Sequence, residues 1–168
     1  MPLDNQKELF FWVDENDNVL GQVERYEANR NPDKIHRAVQ IVLTNSKNEI
    51  LLQKRSQQKD IEPGKWTCTA SGHVTYPNTY EETAQRELQE ELGIEAPLTY
   101  VTKSLMVGKS EREIDAIFTG IFEKTPKDFD RDEVDEVKWV TKTELQEMAE
   151  SHLLTRMSLA TFKILKYL

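Results

Sequence analysis

The chain has 168 residues, 38% hydrophobic and 31% charged, long enough for one buried core and too evenly apolar for a disordered chain. Lys and Arg number 22 against 30 Asp and Glu, a net charge of −8, which argues against a binder of nucleic-acid polymers, because basic side chains drive that association. The longest apolar run, Leu9 to Val13, is too short to cross a bilayer. The first residues lack the basic and apolar stretches of a secretory signal, and the single cysteine, Cys68, allows no internal disulfide, so a reducing, cytoplasmic setting away from membranes is expected.

In chain order, Leu9 to Val13 and Val19 to Val23 flank Asp14-Glu15-Asn16-Asp17-Asn18 and predict an N-terminal β-hairpin. Asn29 to Asp33 reads as a loop. Ala38 to Thr44 and Glu49 to Lys54 read as strands about Asn45-Ser46-Lys47-Asn48. A polar loop, Ser56 to Lys65, leads into a strand over Trp66 to Val74. Thr79 to Leu92 predicts a helix with Gly93 as its stop. Asn78 and Glu81 have N-cap and N3 spacing at its start. Tyr100 to Val107, Ile114 to Phe122 and Val134 to Val140 read as strands. Thr141 and Glu144 form a capping box for a helix to about Glu150, and Met157 to Leu168 predicts a terminal helix with Leu159, Phe162, Ile164 and Leu165 on one side. Strands around one well-marked internal helix make an α/β or α+β domain with a mixed sheet. One domain over 1–168 is expected: a hairpin extension to residue 34, a core over 35–148 and the C-terminal helix.

The sharpest feature is Arg86-Glu87-Leu88-Gln89-Glu90-Glu91-Leu92-Gly93-Ile94. On a helix, Glu87, Glu90 and Glu91 stand at i, i+3 and i+4 and share one face. Like charges so placed destabilise an isolated helix, which a bound cation would offset; Mg²⁺, a hard cation that takes carboxylate and phosphate oxygens, suits the set. A solvated acidic face is the ordinary reading of such a cluster taken alone.

The wider string resembles the signature of the Nudix hydrolases: Gly, five residues, Glu, seven residues, then Arg-Glu-apolar-x-Glu-Glu-x-Gly-apolar. Gly72, Arg86, Glu87, Leu88, Glu90, Glu91, Gly93 and Ile94 match, and only Asn78 departs, standing where the signature has Glu. The resemblance implies an α/β/α sandwich around a mixed sheet and a signature loop-helix-loop that holds Mg²⁺ or Mn²⁺ against a diphosphate. It implies Glu87, Glu90 and Glu91 as metal ligands, Glu90 and Glu91 in catalysis, and Arg86 as the residue that orients the carboxylates.

The flanks narrow the resemblance. His36-Arg37-Ala38, Gln53-Lys54-Arg55, Lys59, Pro63-Gly64-Lys65-Trp66 and Ser71-Gly72-His73 resemble the type I isopentenyl diphosphate isomerases, which share this fold. By that likeness His36, His73, Glu111 and Glu113 fall on a second metal site, with Glu113 also catalytic and Asn29 at the remaining His position. Arg25, Arg55 and Lys59, with Gly72, are implied to bind the diphosphate. Three features weigh against isomerase activity. Ser71 stands where the isomerases carry a catalytic cysteine; Cys68, three residues earlier, faces the other way on a regular strand; and Arg86-Glu87, broken in the isomerases, is intact here. His36 and His73 have an equal reading as satisfied structural residues, Cys68 reads as a small buried hydrophobe, and Trp66 and Trp139 as core or pocket wall. The Asp128 to Glu136 run reads as surface, with Glu133 or Glu136 as further carboxylates for the metal site.

The expectation is a Mg²⁺- or Mn²⁺-dependent hydrolase of a P–O–P linkage in a small metabolite, such as a nucleoside or isoprenoid diphosphate, with a homodimer as an open assembly state. The alternatives are an isomerase-like enzyme and a diphosphate-binding module without turnover.

Overall fold

The computed structural model describes residues 4–168; residues 1–3 of the expected N-terminal extension lie outside the described residues. The strands are β1 (Leu9–Val13), β2 (Val19–Glu24), β3 (His36–Thr44), β4 (Ile50–Arg55), β5 (Trp66–Thr67), β6 (Ala70–His73), β7 (Thr99–Val107), β8 (Arg112–Ile121) and β9 (Val134–Val140). The helices are α1 (Arg25–Ala28), α2 (Tyr80–Leu92), α3 (Lys142–Glu150) and α4 (Arg156–Ile164).

The sheet is mixed and β3 is its hub. β3 runs parallel to β8 and antiparallel to β6, while β8 pairs antiparallel with β7 and β4 pairs with β9 and β5. Alternation along the central strands decides the layers. Val39, Ile41 and Leu43 of β3 and Leu51 of β4 pack with Ala84, Leu88 and Leu92 of α2. Val42, Ile50 and Leu52 face the other way, onto Leu145 of α3 and Phe162 of α4. This is the expected α/β/α arrangement, with α2 on one face of the sheet and α3 and α4 on the other.

Three local expectations are corrected. The strand read over Trp66 to Val74 is two short strands, because the chain changes partner: β5 pairs with β4 and β6 with β3. At the crossing, the Thr69 hydroxyl takes both ladder roles, donating to the Leu51 carbonyl at 2.7 Å and accepting from the Leu43 N–H at 2.8 Å. The N-cap of α2 is Thr79, with Glu82 completing the capping box; the Asn78 N–H is used in a turn onto the Thr75 carbonyl. The terminal helix stops at Ile164, because Lys166 adopts a left-handed φ of 62° and the Tyr167 N–H turns back to the Phe162 carbonyl. Phe162 is fully buried, whereas Ile164 is 37% exposed and lies off the packed face. The one-turn helix α1, not read from the sequence, precedes the loop, which lies at Asn29 to Asp33 as expected.

Candidate active site

A cavity of about 910 Å³ opens between the N-terminal hairpin, the loop after β4, β6, α2 and the β7–β8 turn. Glu87, Glu90, Glu91, Arg86, Gly72, His73, Glu111, Glu113, Arg25, Arg55 and Lys59 all line it. His36 is fully buried behind the wall. Every residue expected at the site, Asn29 apart, is therefore at or directly behind one cavity; Cys68, Asn78, Glu136 and the two tryptophans do not line it.

The carboxylate helix is held in place from two sides. The Arg86 guanidinium donates to Glu87 at 2.9 Å and to the His73 carbonyl at 3.4 Å, linking α2 to β6. Its Nε lies 3.9 Å from Glu90, which is 63% exposed to the cavity and solvent. Glu91 accepts from the Gln53 amide and from the Ser71 N–H. Gln53 is the contributor that pattern reading missed; its signal is a polar residue at a position of β4 whose alternation points toward α2. Glycine at position 72 has a direct cause: a Cβ there would lie 2.3 Å from the Glu87 carboxyl carbon, far inside contact distance.

Burial dominates the electrostatics. It pushes the Glu87 carboxyl up to about 7, against the pull of Arg86 and with added repulsion from Glu90. It pushes Glu91 up to about 8, with Glu87 adding to the shift. Carboxylates crowded without an internal cation of matching charge, beside a cavity, fit a hard divalent metal. A metal competes with protons for these groups. The affinity of the apo protein for Mg²⁺ is therefore expected to rise from pH 6 to pH 8.5, with protons released on binding. Calorimetry at pH 7 in buffers of different ionisation enthalpy measures that release; a buffer-independent enthalpy would sink the expectation.

A second cluster is assembled by strand register. His36 of β3 pairs directly with Glu113 of β8, and His73 of β6 pairs with Ala38 of β3. One Glu113 oxygen lies 2.9 Å from His73 Nε2 and 3.3 Å from His36 Nε2, and ligand atoms of all three residues fall within 4.8 Å of one another. The His36 Nδ1 faces the Lys34 carbonyl at 3.1 Å, which leaves Nε2 turned to the cluster, as a metal-bound imidazole is commonly oriented. Burial would raise Glu113, but the two imidazoles beside it, His73 within hydrogen-bond distance, outweigh that and hold the carboxyl well below the usual carboxylate range. Burial pushes His73 down. Imidazole and carboxylate donors suit a borderline divalent metal.

Glu111 stands outside this group. It precedes β8, its carboxylate folds over Gly108 and accepts from the Ser110 hydroxyl at 2.9 Å, and burial raises its pKa. Asn29 is 4% exposed, and among the described residues both its side-chain polar atoms lack partners. Ser71 lines the cavity. Cys68 is wholly buried in the α3–α4 core, its thiol pushed up to about 12 by burial, so it offers no acid to the cavity. Glu133 reaches the cavity and pairs with Lys59 at 2.7 Å, whereas Glu136 does not line it. Trp139 donates to Thr125 at 3.2 Å, and Trp66 packs on the α3–α4 core.

Comparison with known proteins places these observations in context. A family model described as the NUDIX domain matches residues 34–159. An isopentenyl-diphosphate Delta-isomerase 2 of Photorhabdus laumondii is 33% identical over 144 residues, covering 83% of this chain and 80% of that protein. An uncharacterized Nudix hydrolase of Yersinia pestis is 36% identical over 135 residues, covering 79% of this chain and 72% of that protein. A crystal structure of a Deinococcus radiodurans protein superposes with a TM-score of 0.79 at 23% identity, covering 92% of this chain and 96% of the other, a likeness of fold. Among the described residues no helix is long and apolar enough to cross a membrane.

Proposed function

The chain belongs to the Nudix family, whose enzymes act on pyrophosphate-containing compounds, and from that membership we propose that it is a Mg²⁺- or Mn²⁺-dependent hydrolase of the P–O–P linkage in a small-molecule diphosphate. The observation that carries this reading is the intact Arg86-Glu87-Leu88-Gln89-Glu90-Glu91 helix, with Glu87 locked between Arg86 and Gly72. Glu87, Glu90 and Glu91 are the residues that would hold the metal. Bound there, a divalent metal supplies neutralisation of phosphate charge and a lowered pKa for attacking water. The protein's own work is positional. Arg86 fixes the Glu87 carboxylate, and Gln53 fixes Glu91. Arg55, Lys59 and Arg25 face the cavity from the other wall, where a diphosphate would need cations. A carboxyl whose pKa lies near the working pH, as burial sets that of Glu91, can once deprotonated accept the proton of the attacking water. A nucleoside or isoprenoid diphosphate is the proposed substrate class. Phosphate release with Mg²⁺ across nucleotide, sugar and prenyl diphosphates tests this, and absence of release from the whole panel would leave a binding module.

A second reading, isomerase-like chemistry, has one specific observation in its favour: the His36–His73–Glu113 cluster borders the same cavity, through His73 and Glu113. Protonating a carbon–carbon double bond requires a positioned acid. The Ser71 hydroxyl is a far weaker acid than a thiol, and Cys68 is sealed in the core. No interconversion of isopentenyl and dimethylallyl diphosphate is expected; isotope exchange between the two is the assay, and clear turnover would reverse the assignment.

A further inference from the structure

Of the three cavity cations assigned to the diphosphate, two are already paired with carboxylates. One oxygen of Asp4 lies 3.2 Å from the Arg25 guanidinium and 3.1 Å from the Lys59 ammonium. Glu8 holds Arg25 at 2.9 Å, and Glu133 holds Lys59 at 2.7 Å. Arg55 differs: its Nε donates to the Ile61 carbonyl, and among the described residues it makes no ion pair. Three carboxylates thus surround two of the three cations at a wall meant for phosphate.

The geometry points to Asp4 as an internal competitor: its carboxylate occupies the anion position between Arg25 and Lys59, and a substrate phosphoryl group must displace it to use those cations. The contact is unlike an ordinary surface ion pair in three ways. The side chains of Asp4, Arg25 and Lys59 are only 11%, 13% and 9% exposed, so charge there is weakly screened. A single oxygen is shared by both cations, as an oxygen of a phosphate can be, and among the described residues the buried Arg25 Nε has no hydrogen-bond partner. Nor is the Asp4 side chain needed to anchor its segment. Backbone bonds from Glu8 N–H to the Asn5 carbonyl, Tyr26 N–H to Gln6 and Arg25 N–H to Glu8 already tie residues 5–8 to α1. Asp4 therefore sets specificity: ligands that rely on the cation pair alone are disfavoured, and those with a second hold, on Arg55 or at the carboxylate helix, are retained.

This inference rests on the cavity being phosphate-binding, and it is tested without turnover. The probe is inorganic pyrophosphate, titrated calorimetrically into the full chain in excess EDTA. Asp4→Asn keeps the size and hydrogen-bonding capacity of the side chain and removes its charge. Pyrophosphate affinity is expected to rise about tenfold, the worth of one released charge-assisted contact. The gain should disappear in Asp4→Asn/Lys59→Gln, with thermal melts confirming that both variants fold. Unchanged or weaker binding by Asp4→Asn would overturn the inference, since a carboxylate that merely positions the cations predicts weakening. A gain surviving in the double variant would place the anion elsewhere and overturn it equally. Failure of the hydrolase reading would appear separately, as absent phosphate release.

Discussion

Glu91→Gln is expected to lower diphosphate turnover by ~10²–10⁴-fold, at least the worth of a positioned acid–base group, while the protein becomes more stable without metal. The two effects share one cause. Glu91 is 8% exposed, and burial raises its carboxyl to about 8. A carboxyl raised in the folded state binds more protons folded than unfolded. The metal-free protein therefore loses stability as pH rises from the ordinary carboxylate range through about 8. Glutamine keeps the acceptor for the Gln53 amide and removes the buried charge, so its metal-free melting temperature at pH 8 should exceed that of the wild type and vary less with pH. Glu90→Gln should share the loss of turnover without the gain in stability, because Glu90 is open to solvent. Phosphate-release kinetics and melts in EDTA check both. Rates like the wild type in the two variants would remove the carboxylate helix from the mechanism.

Gly72→Ala should cost ~10–100-fold in activity or metal affinity, the range seen when the supports of metal ligands are removed, with little change in stability. The added methyl would meet the Glu87 carboxyl carbon at 2.3 Å and its oxygens at 2.4 and 2.7 Å. All three atoms are at the far end of a flexible side chain, so the backbone need not move. What moves is the carboxylate, out of its contact with Arg86. A fall in Mg²⁺ affinity with an unchanged melting temperature is the expected pair of results; a collapse of stability would show that position 72 serves packing instead.

The sequence alone determined the carboxylate helix, because everything it needs is local. Seven consecutive residues fix the shared face of Glu87, Glu90 and Glu91 through helical periodicity, and Gly93, at φ 64°, ends the helix where a left-handed residue is required. The Asn45 to Asn48 turn between two largely apolar runs likewise marked β3 and β4, since turn chemistry is a local property. Even locally, some choices stay balanced. Asn78 with Glu81 and Thr79 with Glu82 offer adjacent capping registers, and the turn onto Thr75 decides for the second. Only the tertiary structure could bring His36, His73 and Glu113 together, because their meeting depends on a parallel register between β3 and β8 and an antiparallel one between β3 and β6. The likeness put Glu111 with Glu113 at one site, but the strand begins at Arg112, and the Gly108 turn folds Glu111 back. The split of Trp66 to Val74 follows from a change of partner strands that no local pattern encodes. Most distant from the sequence is Asp4, paired with a lysine 55 residues away. Charge pairing across such a separation is decided by where the fold closes the cavity, and neither residue carries a local mark of it.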